Sequence, residues 1–206
     1  MYQAIGVIEL KSIAKGIEAT DAALKSAGVS VVTAHAACPG KYEIILTGTI
    51  SNVTSAVDHV KSRFDEKLVD SSIMGRIDPQ VITALFGTAP SEKKGSLGII
   101  ETFSAASIIK AADIAVKTAK VSIFELRTSR GMGGKGICLV TGDVGDVTAA
   151  VEAGAQHAKD QGVFFGSSVI AAPHADLWDQ ISDQRKRSRN FFRKKFLELF
   201  KKLQEG

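Results

Sequence analysis

Gly6-Val7-Ile8-Glu9 recurs as Gly98-Ile99-Ile100-Glu101, an offset of 92 residues. At the same offset Ser12 matches Ser104, Asp21 matches Asp113, Lys25 matches Lys117 and Ala27 matches Ala119. The offset then becomes 94, with Gly40-Lys41 on Gly134-Lys135, Thr47-Gly48 on Thr141-Gly142, Val53-Thr54 on Val147-Thr148 and Pro79 on Pro173. Matches kept in order at nearly one spacing mark a duplicated unit rather than a chance likeness. The change of offset places two extra residues of the second copy between its first helix and the loop equivalent to the one around Cys38. Residues 87–96 are rich in Gly, Pro, Ser and Lys without apolar periodicity, which reads as an exposed linker. The expected division is a first unit over 1–87, a linker at 88–96, a second unit over 97–182 and a tail over 183–206.

Each copy has one plan. A strand (4–10; 97–102) runs into a helix opened by a Ser cap, Ser12 or Ser104. Ile13, Ile17 and Leu24 fall on one face of the first helix, a stripe that ordinarily faces the core. Two β-branched runs follow, 29–34 and 42–47, and both read as strands. A second helix is expected over 50–64 and over 144–159. A fourth strand (68–73; 163–170) leads to a short helix that Pro79 or Pro173 opens, a suitable first-turn residue. The order βαββαβ is a split-βαβ, ferredoxin-like α+β unit with its helices on one sheet face. Many functions use this class, so the fold alone decides none of them.

The hydrophobic fraction of 45% and charged fraction of 23% suit a globular chain with an adequate core. No run reaches the apolar length of a membrane span. Residues 1–6 enter a strand pattern directly and lack the basic-then-apolar form of a signal peptide. Two cysteines far apart make no disulfide framework, so a reducing cytoplasm is expected. The net charge of +4 is uneven: 183–206 hold nine Lys/Arg against three Asp/Glu, which leaves the body slightly acidic. The basic balance therefore gives no reason to expect nucleic-acid binding by the body.

The two cysteines differ in setting. Cys38 lies in Ala36-Ala37-Cys38-Pro39-Gly40-Lys41, at the tip of a connection bent by Pro and Gly. Cys138 lies in Gly136-Ile137-Cys138-Leu139-Val140 and matches Ile44, so it reads as a buried inert thiol. Cys38 matches Met132 in the glycine-rich loop Gly131-Met132-Gly133-Gly134. That loop joins two strands rather than opening a helix, so it is a poor phosphate cradle. His35 sits three residues from Cys38, which on strand alternation turns it to the other side. His59 and His157 read as solvated on second helices, and Trp178 as packing the short helix. No carboxylate pair, Ser/His/Asp set or nucleotide motif argues for an enzyme.

Gly6-Val7-Ile8-Glu9, the helix end Asp21–Ala27, Gly40-Lys41 and Pro173-His174 together resemble the bacterial microcompartment shell domain. Two copies in one chain resemble its tandem, trimer-forming class, and Cys38-Pro39-Gly40-Lys41 resembles the iron–sulfur-bearing kind found in propanediol-utilisation shells. The resemblance covers residues 3–181, with Pro79-Gln80 in the first copy departing from the family's Pro-His. It implies a homotrimeric, pseudohexagonal tile that meets other shell proteins. It also implies a central pore lined by Ala37, Cys38, Pro39 and Gly40 and by Gly131, Met132, Gly133 and Gly134. Symmetry would then bring three Cys38 thiolates to one axis. One [4Fe–4S] cluster per trimer, held by three Cys38 ligands with its fourth iron open, and electron transfer across the shell are the implied chemistry. A mononuclear metal such as zinc, or a free thiol in a plain tile or metabolite pore, is the simpler alternative. A ferredoxin-like small-metabolite sensor is the alternative from another class. Lys25, Lys117 and His174 occupy the positions where the family makes tile-to-tile contacts, although a cation at a helix C-terminus is also favoured by the dipole.

Outside the resemblance, Phe192, Phe196, Leu199 and Leu203 fall at i, i+4, i+7 and i+11, one stripe of a basic helix. Such a helix suits a partner groove, and a luminal redox enzyme, other cargo or a neighbouring shell face is the expected contact.

Overall fold

The structure, a computed structural model, describes residues 4–87, 95–128 and 131–183. The tail stripe from Phe192 to Leu203 lies outside the described residues. The first copy runs β1 (Ala4–Leu10), α1 (Ile13–Ser26), β2 (Ser30–Ala37), β3 (Lys41–Gly48), α2 (Ile50–Phe64), β4 (Leu68–Met74) and α3 (Pro79–Leu85). The second repeats it as β5 (Ser96–Thr102), α4 (Ala105–Thr118), β6 (Ser122–Arg127), β7 (Gly136–Gly142), α5 (Val144–Asp160) and β8 (Phe164–Ile170), and residues 175–183 are again helical. The strand orders β2-β3-β1-β4 and β6-β7-β5-β8 are the same, which confirms the split-βαβ plan twice over.

Local chemistry starts the helices where the sequence places them. The Ser12 hydroxyl accepts from the Lys15 N–H at 3.3 Å, and Ser104 accepts from Ser107 N–H at 3.2 Å. Pro79 opens α3, and Asp78 caps it by accepting from the Gln80 N–H at 2.8 Å. β1 is buried along its whole length, with β3 and β4 on its two sides.

Register corrects the position of the inserted residues. Gly6 pairs with Leu46 and Gly98 with Val140, and both copies bulge at the same place, after Val31 and after Ile123. His35 opposes Glu43, as Arg127 opposes Ile137. The two copies therefore match residue for residue through β6, and the two extra residues lie in the β6–β7 connection itself.

The first helices also differ from expectation. Ile13, Ile17 and Leu24 are 42%, 57% and 44% exposed, while α1 buries Gly16, Ala19, Ala22 and Ala23. Its core face is the small-residue face, because the helix lies close on the sheet and Gly16 backs onto the Tyr42 ring. α4 is instead buried around most of its surface, since it is packed between its own sheet and the first copy's β1 and β4. One apolar cluster accordingly runs from Ile5, Val7 and Ile45 through α3 into Ile108, Ile109 and Val140. The linker ends one residue early, because Ser96 begins β5, is buried, and donates its hydroxyl to the Ala171 carbonyl at 2.9 Å. Trp178 is buried against Phe124, at 5.4 Å between ring centres, and fixes the helix at 175–183 to the second sheet.

Candidate functional site: the paired hairpin tips and the seam beneath them

The β2–β3 ladder continues to the pair Ala37–Lys41, so the connection is only Cys38-Pro39-Gly40. All three residues are exposed. Gly40 supplies the left-handed turn at φ +89°, and the Cys38–Pro39 peptide is cis. Ala37 is a buried strand residue, so it supports the tip rather than lining it.

The matching tip of the second copy lies directly against the first. Gly134, at φ +85°, is buried with no room for a side chain. An added Cβ would stand 2.9 Å from Pro39 Cδ and 3.1 Å from the Cys38 carbonyl oxygen. Gly134 therefore belongs to the contact between the loops, while Gly131 and Gly133 are exposed and Met132 is half-buried. Lys41 ties the arrangement together. Its ammonium donates to the Gly134 carbonyl at 3.3 Å, to the Phe103 carbonyl at 3.0 Å and to the fully buried Glu9 carboxylate at 3.3 Å.

Two first-copy carboxylates hold the N-terminus of α4, which has no acidic residue in its own first turn. Glu9 accepts from the Ala105 N–H at 3.3 Å. Asp70 accepts from the Ser107 hydroxyl at 2.7 Å and from the Ser104 hydroxyl. Negative charge here meets the positive end of the helix dipole. At the far end of α4, Asp113 accepts from the Asp78 N–H at 2.8 Å, and Lys117 bridges Asp113 to the Arg76 carbonyl. Gln80 completes the seam on β6. Its amide donates to the Val121 carbonyl at 3.5 Å and its oxygen accepts from the Ile123 N–H at 3.3 Å.

The other residues singled out by the sequence pattern separate clearly. Lys117, expected at a tile edge, reaches the Arg76 carbonyl across this seam while its side chain stays 46% exposed, and Lys25 is 74% exposed and paired with Asp21 on its own helix. His174 is exposed, and its Nδ1 accepts from the Asp176 N–H at 3.2 Å. His35 takes part with Thr33, Glu43, Leu85, Phe86 and Thr128 in a small pocket between the copies, with its Nδ1 3.0 Å from the Thr33 hydroxyl. His59 is exposed as expected. His157 is half-buried instead, and burial, then Lys110, push its pKa down. Cys138 is fully buried, and burial raises its thiol to about 12, so it is neither nucleophile nor ligand. Among the described residues no three His, Cys, Asp or Glu side chains lie close enough to hold a metal, and no helix is long and apolar enough to cross a membrane. Sequence reasoning missed Glu9, Asp70 and Gln80. Glu9 lies within a repeated motif, but its role depends on which helix covers it.

Two βαββαβ units in one chain, with their hairpin tips in contact, define a tandem duplication of one α+β domain. The chain belongs to the BMC-domain family, whose description matches residues 4–77 and again 96–173. It is 41% identical over 181 residues to the bacterial microcompartment shell protein PduT of Citrobacter freundii, covering 88% of this chain and 98% of that one. EutM, a microcompartment shell protein of Escherichia coli K12, is 39% identical over 84 residues, 40% of this chain and 82% of its own length. A microcompartment protein of Desulfitobacterium hafniense DCB superposes with a TM-score of 0.74 at 42% identity, covering 86% of this chain and 98% of that one. This chain is thus a bacterial microcompartment shell protein.

Proposed function

We propose that three chains close into a pseudohexagonal shell tile, and that their three Cys38 thiolates hold one [4Fe–4S] cluster at its centre. The observation that carries this reading is the exposed Cys38 thiol at the hairpin tip, pressed against the matching tip of the second copy. The internal seam joins different faces of the two copies, and repeating such a head-to-tail contact generates a ring when the rotation closes. In that ring all six tips surround the axis and only the first-copy tip brings a thiol. Each chain offers one tip thiolate, so assembly supplies the rest of the ligand set. Three thiolates suit a cubane with one iron left open to water or a small ligand, and the bound cluster would supply one-electron chemistry across the wall. The chain's own part is structural: it positions the sulfur, and Lys41 fixes the loop behind it.

The test is anaerobic purification of the full chain, of Cys38→Ser and of Cys138→Ser. Brown protein with sulfur-to-iron charge-transfer absorbance in the wild type and Cys138→Ser, and its absence in Cys38→Ser, supports the reading. Colourless wild type with intact trimers leaves a plain tile or pore. The tail at 183–206 is read as a contact for cargo or a neighbouring shell face, and its deletion should alter cargo content or shell assembly while leaving the tile intact.

A further inference from the structure

Phe103 and Phe165 are the exposed phenylalanines among the described residues, at 51% and 45%, and they touch each other. Their rings meet edge to face, with 4.9 Å between centres and 86° between planes. A bulge aims Phe165 outward. Glu101 pairs with Gly166 and Thr102 with Phe164, which leaves Phe165 as the extra residue of β8. Phe103 follows β5 and donates its N–H to the Val163 carbonyl at 2.8 Å. The first copy has the same bulge and the same bond, with Val69 and Lys11 in these places. The aromatic pair therefore belongs to the second copy alone and is no requirement of the fold.

Closing a tile leaves the pair in the open. Phe103 already stands at a finished seam, where its carbonyl takes the Lys41 ammonium at 3.0 Å, and its ring is still half exposed. β4 has α4 packed against it, and its bulge residue Val69 is still 37% exposed. β8 has that bulge with a larger side chain on it. Two cations lie beside the pair. The Lys135 ammonium is 3.9 Å from the Phe165 ring centre, and the Lys159 ammonium is 4.9 Å from that of Phe164. By the offset of 94, Lys159 stands where the first copy has Asp65. The pair is also tied to the candidate site. The Lys41 ammonium holds both the Phe103 and the Gly134 carbonyls, and Gly134 lies against Cys38.

We propose that Phe103 and Phe165 are the anchor on which a small acidic electron-carrier protein docks beside the central thiols. The purpose of the contact rests on the cluster reading, while the contact itself does not. An exposed apolar patch marks a contact site, and its cationic border selects an acidic partner. Two rings with such a border form a small surface, which suits the size class of brief redox encounters. The lysines steer the partner and the rings hold it.

The experiment uses the full chain carrying Cys38→Ser, with an acidic plant-type ferredoxin as the probe, and reads binding on a biosensor surface. The decisive variant combines Phe103→Lys with Phe165→Val, which are the first copy's own residues and so suit the backbone. Saturable binding that weakens as salt rises is expected for the parent. The double variant should raise the dissociation constant about tenfold, whereas a contact made by charge alone would tighten with the added lysine. Lys159→Glu should slow association and leave dissociation nearly unchanged. In cluster-loaded wild type, reduced ferredoxin should pass one electron to the cluster, the ferredoxin being oxidised as the cluster is reduced. That transfer should be slower in the double variant, while dithionite reduces both tiles equally fast. A parent that ignores the ferredoxin, or a double variant that binds it as well as the parent, overturns this inference and leaves the cluster reading standing. A colourless wild type that binds the ferredoxin through the rings overturns the cluster reading and leaves the docking surface standing.

Discussion

Cys38 and Cys138 are the same group in opposite surroundings. Cys38 is exposed at a three-residue tip, and Cys138 is sealed in β7 with its thiol pushed to about 12. Thiol–disulfide reagents need thiolate and access. Metal-free native protein at pH 8 is therefore expected to release one equivalent of chromophore from a thiol reagent, and a second only in denaturant. Fast labelling of both would place Cys138 outside the core. His157 gives a pH prediction of definite sign. Its folded pKa lies below the ordinary value of 6.5, so the unfolded chain binds the proton more readily. Its contribution to stability is present above that value and is lost as pH falls through the lowered folded one. Thermal melts of the wild type should drop more steeply between pH 7 and pH 5 than those of His157→Gln, and parallel slopes would contradict this.

At the scale of elements, the copies solve one contact in two ways. Gly16 on α1 faces Tyr42 on β3, and an added Cβ would come within 2.2 Å of that ring. In the second copy the large residue is on the helix. Ile108 on α4 faces Gly136 on β7, at 2.3 Å from an added Cβ. Alanine is the better helix former by about 1 kcal/mol. Gly16→Ala is nonetheless expected to destabilise the chain, because overpacking costs about 1–3 kcal/mol. Urea unfolding measures this, and pairing Gly16→Ala with Tyr42→Ala should recover part of the loss. Much of this level was legible in sequence: the strands, the two Ser caps, Pro79 and the core position of Cys138 all follow from local pattern. The direction of the α1 stripe was not. Apolar spacing says that a helix buries a face but not against what, and the face on its own sheet is made of Gly and Ala. The site of the insertion was hidden for a related reason, since an offset counts residues between matches and only strand register locates them.

For the whole molecule, the proposed function depends on contacts between copies that no motif announces. Glu9, Asp70 and Lys41 read as ordinary charges until the second copy is placed over them, where they cap α4 and bind the two tips. Gly134 is where the tips meet most closely, at a φ that disfavours any side chain. Gly134→Val should separate the tips, and in assembled tiles it should lower cluster content without removing Cys38. The central claim is that one sulfur per chain becomes a three-ligand site by assembly. Iron and sulfide analysis of anaerobically isolated trimers tests it most directly. About four irons and as many sulfides for every three chains, lost in Cys38→Ser, are expected for a shared cubane. Iron absent from the wild type, or bound equally well by Cys38→Ser, would contradict it.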